Sequence, residues 1–254
     1  MEIHRLSPHV TAFIQPEGGS SAGLIETSDG YVVIDTTSRP SDIRDFLAAV
    51  NVTPAEVCLV LITHSHSDHT SGIPLFDCPV LSHKITRQRI MKRGTKRAQK
   101  QIPTEVFEDR KELQVGGAKI EFIHAGGHTP GSSVVWLPEP RILFVGDLIF
   151  SNIYPFLNVA DVPALMEALE WLLDFDARVI VPGHGPICDR GEVARQLDYL
   201  QTSWARTREH LAQGHSLEEA MADPGYPKYS ERGYERLHPW NIKAMYRQLK
   251  KLSS

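Results

Sequence analysis

The stretch Thr63-His64-Ser65-His66-Ser67-Asp68-His69 contains three histidines and one aspartate within six positions. It directly follows residues 57–62, VCLVLI, an apolar run whose length and branched side chains predict a buried strand. Side chains alternate along extended backbone, so His64 and His66 are expected to face the same point. Imidazole nitrogen and carboxylate oxygen are ligands that Zn²⁺ accepts in proteins. The stretch therefore predicts a metal site at the end of a buried strand.

Three later motifs extend this pattern, and each contains a candidate ligand. They are Gly126-Gly127-His128-Thr129-Pro130-Gly131, Phe144-Val145-Gly146-Asp147 and Val181-Pro182-Gly183-His184-Gly185. Together with His64-x-His66-x-Asp68-His69, and in this order, they resemble the motifs of the metallo-β-lactamase superfamily. The resemblance covers residues 10–190. Each later motif alone is weak evidence, but four motifs in the required order are specific.

The resemblance implies a set of seven ligands for two metal ions. The set is His64, His66 and His128 for the first ion, Asp68, His69 and His184 for the second, and Asp147 as the bridge between them. The expected cofactors are two Zn²⁺ ions, although the same ligand types also accept iron or manganese. Asp68 is in addition the expected catalytic residue, because its carboxylate could orient the attacking nucleophile.

The implied function is metal-dependent hydrolysis of an acyl bond in a small molecule, such as an ester, thioester, lactone or lactam. A metal ion lowers the pKa of bound water toward about 7, and two ions can share the resulting hydroxide as the nucleophile. Asp147 stands where the best-known β-lactamase subclass has cysteine, so the chain is closer to the glyoxalase II and lactonase branches.

Residues 84–100, here called the basic segment, leave two interpretations open. No acidic residue occurs between Asp77 and Glu105. The segment's eight basic residues are Lys84, Arg87, Arg89, Lys92, Arg93, Lys96, Arg97 and Lys100. The segment could be a solvated helix face, or it could form an electropositive rim that attracts an anionic substrate. The rim would also suit an alternative function, a phosphodiesterase or nuclease that uses the basic segment to bind phosphate. A third alternative is a metal-binding protein without catalysis.

The composition is that of an ordinary globular chain, with 41% hydrophobic and 23% charged residues among 254. Short alternating strands and two-residue turns fill the first part, and residues from 189 onward have helical spacing. Periodicity alone therefore predicts a mixture of α and β. The family resemblance implies a four-layered αββα sandwich of the α/β class. We expect a catalytic core over residues 1–190 and C-terminal helices over 191–254, packed on it as one continuous domain.

Charge and targeting signals restrict the partners. The net charge of −4 gives no general reason to expect nucleic-acid binding. The start of the chain, MEIHR, lacks the pattern of a secretory signal, and no apolar run reaches the roughly 20 residues that span a bilayer. Three cysteines do not make a disulfide framework. We therefore expect a cytoplasmic protein with a small-molecule substrate and no membrane partner, while the oligomeric state stays open.

The remaining candidates are a tyrosine and the histidines outside the motifs. Residues 151–156 follow Asp147 and should overhang the pocket, where Tyr154 could either hydrogen-bond a substrate carbonyl or oxyanion or pack as an aromatic side chain on the loop. His124 is not expected to be a ligand, and two roles stay open for it, packing or support of a ligand. The histidines expected at the surface, in helix caps or in packing are His4, His9, His83, His210, His215 and His238.

Overall fold

The computed structural model describes residues 2–230 and 235–253, and these form twelve strands and eight α-helices. The strands are β1 (Glu2–Ser7), β2 (Val10–Ile14), β3 (Ala22–Thr27), β4 (Gly30–Ile34), β5 (Val57–Ile62), β6 (Val80–His83), β7 (Glu105–Phe107), β8 (Arg110–Val115), β9 (Ala118–His124), β10 (Ser133–Leu137), β11 (Ile142–Phe150) and β12 (Val179–His184). The helices are α1 (Pro40–Ala49), α2 (Ser67–Thr70), α3 (Lys84–Lys92), α4 (Lys96–Gln99), α5 (Val162–Leu172), α6 (Arg190–Ala212), α7 (Leu217–Ala222) and α8 (Leu237–Leu252).

The strands form two sheets. The first sheet has the order β1-β2-β3-β4-β5-β6-β7, and the second has the order β12-β11-β10-β9-β8. Strands β4, β5, β6 and β7 run parallel to one another, as do β11 and β12, whereas β3 is antiparallel to β4. The loop after β5 and the end of β12 carry predicted ligands, and this is the edge where open α/β sheets bind ligands.

Alternation along the central strands explains the layers. In β5, Leu61 packs between the two sheets, whereas Val60 and Ile62 pack against α1 on the outside. In β11, Phe144 packs between the sheets, and Leu143 belongs to a cluster with α5 and α6. Both strands are thus buried on both faces, so they are apolar throughout. Three hydrophobic clusters separate four layers, which confirms the predicted αββα sandwich.

The C-terminal helices pack on the second sheet. Leu200 of α6 and Met245 of α8 join the same cluster as the α5 residue Leu169. Gln196 of α6 is fully buried; its side-chain oxygen accepts from the Phe150 amide at 2.8 Å, and its side-chain nitrogen donates to the Leu148 carbonyl at 2.6 Å. Helix α6 therefore fixes the end of β11, the strand that carries Asp147. Among the described residues, no helix is both long enough and apolar enough to cross a bilayer.

Candidate metal centre

All seven predicted ligands meet at one edge of the sandwich. Four come from the loop and the short helix α2 after β5, one from the loop between β9 and β10, and one from the end of β12, while Asp147 lies within β11. They form two groups, and the ligand atoms within each group lie within 4.8 Å of one another. The first group is His64, His66, His128 and Asp147, and the second is Asp68, His69, Asp147 and His184.

In the first group, three imidazole nitrogens converge on one carboxylate oxygen. Nδ1 of His66 lies 3.1 Å from Nε2 of His64 and 3.0 Å from Nε2 of His128. Oδ2 of Asp147 lies 3.4 Å from His64 Nε2 and 3.3 Å from His128 Nε2. A tetrahedral Zn²⁺ site with bonds near 2.1 Å has edges of about 3.4 Å. The four atoms therefore have the spacing of ligands around one small cation.

The second group repeats this arrangement with the other oxygen of Asp147. Oδ1 of Asp147 lies 3.0 Å from Nε2 of His69 and 3.3 Å from Nε2 of His184. Oδ2 of Asp68 lies 3.3 Å from the same His184 nitrogen. The two carboxylate oxygens of Asp147 thus face different groups, as a bridging ligand requires. The seven residues fit two neighbouring cation positions.

The far nitrogens of two imidazoles fix which nitrogen points into the site. Nδ1 of His184 lies 2.8 Å from the Gly18 carbonyl oxygen, which can only accept, so Nδ1 must donate. Nδ1 of His69 lies 2.8 Å from Oδ2 of Asp35. In the neutral ring, Nε2 then presents a lone pair to the Asp147 carboxylate. Two acceptors that face each other in a buried site call for a cation between them.

Unpaired polar atoms lead to the same conclusion. Within residues 2–230 and 235–253, five buried side-chain nitrogen or oxygen atoms lack a hydrogen bond. Three of them are Nε2 of His69, Nδ1 of His128 and Oδ1 of Asp147. Folded proteins rarely leave such atoms unpaired, and a concentration of them marks a missing partner. Bound metal ions would satisfy His69 Nε2 and Asp147 Oδ1.

The electrostatics of the site favour positive charge beside its carboxylates. Burial lowers the pKa of His184, but Asp147 and Asp68 outweigh burial and raise that pKa to about 10. Burial likewise opposes protonation of His69, yet Asp147 and Asp35 raise its pKa well above the usual range. Burial lowers the pKa of His64, because it outweighs the attraction of Asp147 there. Protons on His69 and His184 thus occupy the role that a divalent cation would fill.

Asp35, which directly follows β4, holds residues 63–69 in place. These residues are here called the metal loop. The Asp35 carboxylate accepts from the backbone amide of Thr63 at 2.8 Å and from the Thr63 hydroxyl at 2.7 Å, besides contacting His69. Its backbone has φ of +57°, a left-handed conformation that costs free energy in a residue with a side chain. Asp35 belongs to neither ligand group, so these contacts make it a support for the site rather than a ligand.

Two glycines of the motifs are needed for close packing around Asp147. A Cβ atom at Gly183 would lie 2.1 Å from Oδ1 of Asp147, which no side chain could tolerate. Gly146 has φ of +50°, and a Cβ there would lie 2.6 Å from the Thr63 hydroxyl oxygen. The glycines therefore allow the strand ends of β11 and β12 to approach the metal loop.

Several residues that touch the site carry no local signal in the sequence. The Ser20 hydroxyl donates to the Asp68 carbonyl at 2.6 Å. The ring of Phe150 stacks on that of His184, with centroids 4.9 Å apart and an interplanar angle of 5°. Both contacts join segments far apart in the chain, so sequence motifs could not reveal them.

A cleft of about 580 Å³ opens over both ligand groups. His66, Asp68 and His184 form part of its floor. One wall includes Arg93 and Arg97 from the basic segment, and Gln101, the residue after that segment. The apolar side chains that line the cleft are Phe150, Ile153, Phe156 and Leu237. Residues 151–156 therefore do overhang the pocket as predicted, through Ile153 and Phe156.

Tyr154, in contrast, does not reach the cleft, and its predicted contact with substrate is wrong in this structure. Its side chain is 4% exposed and belongs to the hydrophobic cluster beneath the C-terminal helices. Its hydroxyl accepts from the backbone amide of Tyr229 at 3.1 Å, and its ring packs against those of Tyr199 and Tyr229. The C-terminal helices provide this apolar environment, and their packing could not be foreseen from residues 151–156.

The other histidines lie outside the two groups. His124 stacks on His83 with ring centroids 3.9 Å apart, and its Nε2 lies 2.9 Å from the Pro130 carbonyl oxygen in the loop that carries His128. It thus supports that loop indirectly. His83 caps α3, where its Nδ1 accepts from the Ile85 amide. The predictions for these two residues agree with their contacts.

Comparison with known proteins identifies the family of these motifs. The family model described as "Metallo-beta-lactamase superfamily" matches residues 16–184. The chain is 30% identical over 197 residues to "Beta-lactamase-like protein 2 homolog" of Caenorhabditis elegans, covering 75% of this chain and 64% of that protein. It is 30% identical over 200 residues to "Metallo-beta-lactamase type 2" of Bacillus cereus, covering 74% and 76%.

Two further matches lie at greater distance. The chain is 28% identical over 195 residues to "Atrochrysone carboxyl ACP thioesterase" of Aspergillus chevalieri, covering 73% of this chain and 59% of that protein. The solved structure of a metallo-beta-lactamase from Pontibacter korlensis superposes with a TM-score of 0.69 at 24% identity, covering 79% of this chain and 98% of that one. The structural match supports the fold. The sequence matches span less than two thirds of the nematode and fungal relatives.

Proposed function

This chain belongs to the metallo-β-lactamase superfamily, and from that premise we propose that it is a dinuclear zinc hydrolase that cleaves an acyl bond in a small molecule. The acyl bond would be that of an ester, thioester, lactone or lactam. The observation that carries the proposal is that the two carboxylate oxygens of Asp147 face two separate ligand groups. Because one buried carboxylate serves both groups, two cations are favoured over one.

The residues of the site suit hydrolysis. Two bound divalent cations would supply water of lowered pKa and a Lewis acid for the carbonyl oxygen. His64, His66 and His128 would hold one cation, and Asp68, His69 and His184 the other. The Asp68 side chain is 34% exposed toward the cleft, unlike the buried Asp147. It is therefore the carboxylate best placed to accept a proton from a water molecule and orient it toward a substrate.

The cleft supports a small substrate with an apolar part. A volume of about 580 Å³ is in the range of pockets that hold small molecules. Phe150, Ile153 and Phe156 offer an apolar wall beside the ligand groups. Relatives named as lactamases and as a thioesterase act on acyl compounds by those names, which supports an acyl bond as the target.

A second candidate function is cleavage of a phosphodiester. The observation that favours it is the position of Arg93 and Arg97, which bring part of the basic segment to the cleft. Guanidinium groups bind phosphate as well as carboxylate. The ligand groups alone do not distinguish acyl cleavage from phosphodiester cleavage, because paired cations can catalyse both reactions.

A panel of substrates tests the proposal. Purified zinc-loaded protein is assayed with an ester, a thioester, a lactone, a β-lactam and a phosphodiester, each with and without a chelator. We expect acyl cleavage that the chelator abolishes and added zinc restores. Phosphodiester turnover without acyl cleavage would replace the first function by the second, and no turnover by fully loaded protein would indicate a metal-binding protein without catalysis.

A further inference from the structure

The basic segment places three polar side chains at regular spacing on the cleft wall. Arg93, Arg97 and Gln101 all line the cleft, and they follow one another at intervals of four residues. They do not share one helix: Arg93 follows α3, Arg97 lies within α4 and Gln101 follows α4, so it is the turn at Gly94 and the position of α4 that bring them to the same wall. The other basic residues of the segment do not line the cleft. The segment is thus divided between a solvated face and a cleft-facing row.

Each arginine is held against the metal loop by one contact. A terminal nitrogen of Arg93 donates to the carbonyl of Ser65, which lies between the ligands His64 and His66. A terminal nitrogen of Arg97 donates to the Ser71 hydroxyl at 2.8 Å, just after α2. A guanidinium carries five N–H donors in a rigid fork, so each arginine keeps donors for a ligand after its anchoring bond.

Neither guanidinium forms a salt bridge, although Asp68 is near enough to attract Arg93. Within residues 2–230 and 235–253, no carboxylate lies within salt-bridge distance of Arg93 or Arg97, whereas Lys84 at the start of the same segment pairs with Glu108 at 2.9 Å. Two guanidinium groups without a salt bridge beside one cleft attract an anion and favour its binding by charge-assisted hydrogen bonds.

Gln101 completes the row with a neutral donor. Its side chain is only 2% exposed, yet it borders the cleft. Its amide carries both donors and an acceptor, so it can hydrogen-bond a ligand in the cleft.

We propose that Arg93, Arg97 and Gln101 form an oxyanion-binding subsite, so that the substrate is an acyl compound carrying a carboxylate or a phosphate group. This inference rests on the proposed function. The anionic group would lie on the arginine wall, the apolar part on Phe150 and Phe156, and the acyl carbon over the ligand groups. A carboxylate and a phosphate would both accept hydrogen bonds from the two guanidinium groups. They differ in their place in the substrate, because the carboxylate would belong to the acyl chain and the phosphate to the leaving group.

Matched substrate pairs test the subsite. Hexanoyl and adipyl thioesters of N-acetylcysteamine differ by a carboxylate on the acyl chain. Hexanoyl thioesters of pantetheine and phosphopantetheine differ by a phosphate on the leaving group. For wild-type protein, kcat/KM should be higher for the anionic member of at least one pair. Arg97→Ala should lower kcat/KM for that member about tenfold, mainly through KM, and change the neutral member less than about twofold.

The control variant is Lys96→Ala, which removes the same charge from an exposed neighbour outside the cleft. It should leave both pairs unchanged. Arg97→Gln serves if the alanine variant folds poorly. Equal losses for the neutral and anionic members would mean that Arg97 only supports α2 through Ser71, and this would overturn the subsite. An equal loss in Lys96→Ala would do the same, because general charge would then explain the effect.

A binding measurement separates failure of the subsite from failure of the proposed function. If no acyl thioester is hydrolysed, the proposed function fails, and calorimetric titration with adipate and with inorganic phosphate replaces kinetics. About tenfold weaker binding of either anion by Arg97→Ala, with unchanged binding by Lys96→Ala, would support the subsite on its own. Equal affinity of wild type and Arg97→Ala for both anions would overturn it.

Discussion

Two clusters of histidine and aspartate in this chain differ in how their polar atoms are paired. In the C-terminal cluster, Nε2 of His210 lies 2.8 Å from Asp223, and Nδ1 of His210 lies 2.9 Å from Nδ1 of His215. Arg206 also donates to Asp223, at 2.6 Å and 3.1 Å. The carboxylate of Asp223 is thus neutralised by the protein itself. In the metal centre, Asp147 faces imidazole nitrogens, and within residues 2–230 and 235–253 it has no arginine or lysine partner.

This difference teaches that a high density of histidine is not enough to identify a metal site. Both clusters contain the residue types that bind metals. Only the groups around Asp147 combine burial, convergent nitrogens about 3 Å apart and polar atoms without partners. A cluster that satisfies its own donors and acceptors stabilises structure, and a cluster that leaves them unsatisfied calls for a ligand.

The largest expected effect comes from removing the carboxylate shared by both ligand groups. Asp147→Ala should lower kcat by more than about a hundredfold, because loss of a ligand should exceed the 10–100-fold cost of losing a residue that only supports one. The purified variant should also contain less zinc than wild type. Elemental analysis and steady-state kinetics on the same preparation measure both effects.

The matched control for this prediction is Asp223→Ala in the C-terminal cluster. It should retain the wild-type zinc content and kcat within about twofold, because its partners His210 and Arg206 lie outside both ligand groups. Circular dichroism verifies that both variants fold. Equal loss of zinc in the two variants would contradict the claim that only the groups around Asp147 bind zinc.

An intermediate effect is expected from Asp35, which contacts a ligand without being one. Asp35→Asn keeps the size of the side chain but weakens its hydrogen bond with His69 Nδ1. Residues in this role typically change metal affinity 10–100-fold, so the zinc dissociation constant should rise within that range. Competition with a zinc-binding dye measures the constant. An unchanged constant would show that the contact is structural only.

The smallest expected effect concerns the stability of the C-terminal cluster. Asp223→Asn should lower the free energy of unfolding by about 1 kcal/mol at neutral pH, because a partly exposed ion pair and its hydrogen bonds contribute about that much. Arg206 and the Gly225 amide hold the pKa of Asp223 below its usual range. A depressed carboxyl pKa stabilises the folded state above the unfolded pKa of about 3.9, and this contribution is lost as the pH falls below it.

Denaturant titration of wild type and Asp223→Asn at several pH values measures this contribution. The difference in unfolding free energy should be constant from pH 7 to about pH 5 and should shrink as the pH falls below about 4. A difference that grew toward acid pH would have the wrong sign for a depressed carboxyl pKa.

Local sequence signals predicted the strands, and the family resemblance of four ordered motifs predicted the ligand set. The alternation in residues 10–14 and the turn at Asp29-Gly30 correspond to β2 and to the hairpin between β3 and β4. The motif His64-x-His66-x-Asp68-His69 is compact, so one strand end delivers four of the seven ligands. These features depend on residues that are close together in the chain, so they can be recognised in the sequence.

Features made by distant segments could not be predicted in the same way. Tyr154 is buried because α6 and α8 cover it, and Leu237 from the start of α8 reaches the cleft from far along the chain. The basic segment shows the same limit. Its composition predicted a helix face or a rim, and only the fold shows that Arg93 and Arg97 line the cleft while the lysines of the segment do not.

The most direct test of the central claim is the metal content of purified wild-type protein, determined by elemental analysis after dialysis against metal-free buffer. Because the two carboxylate oxygens of Asp147 face different ligand groups, we expect about two equivalents of zinc per chain. The zinc content should be lower in Asp147→Ala and unchanged in Asp223→Ala. A single equivalent in wild type, or two equivalents that persist in Asp147→Ala, would contradict a shared dinuclear centre.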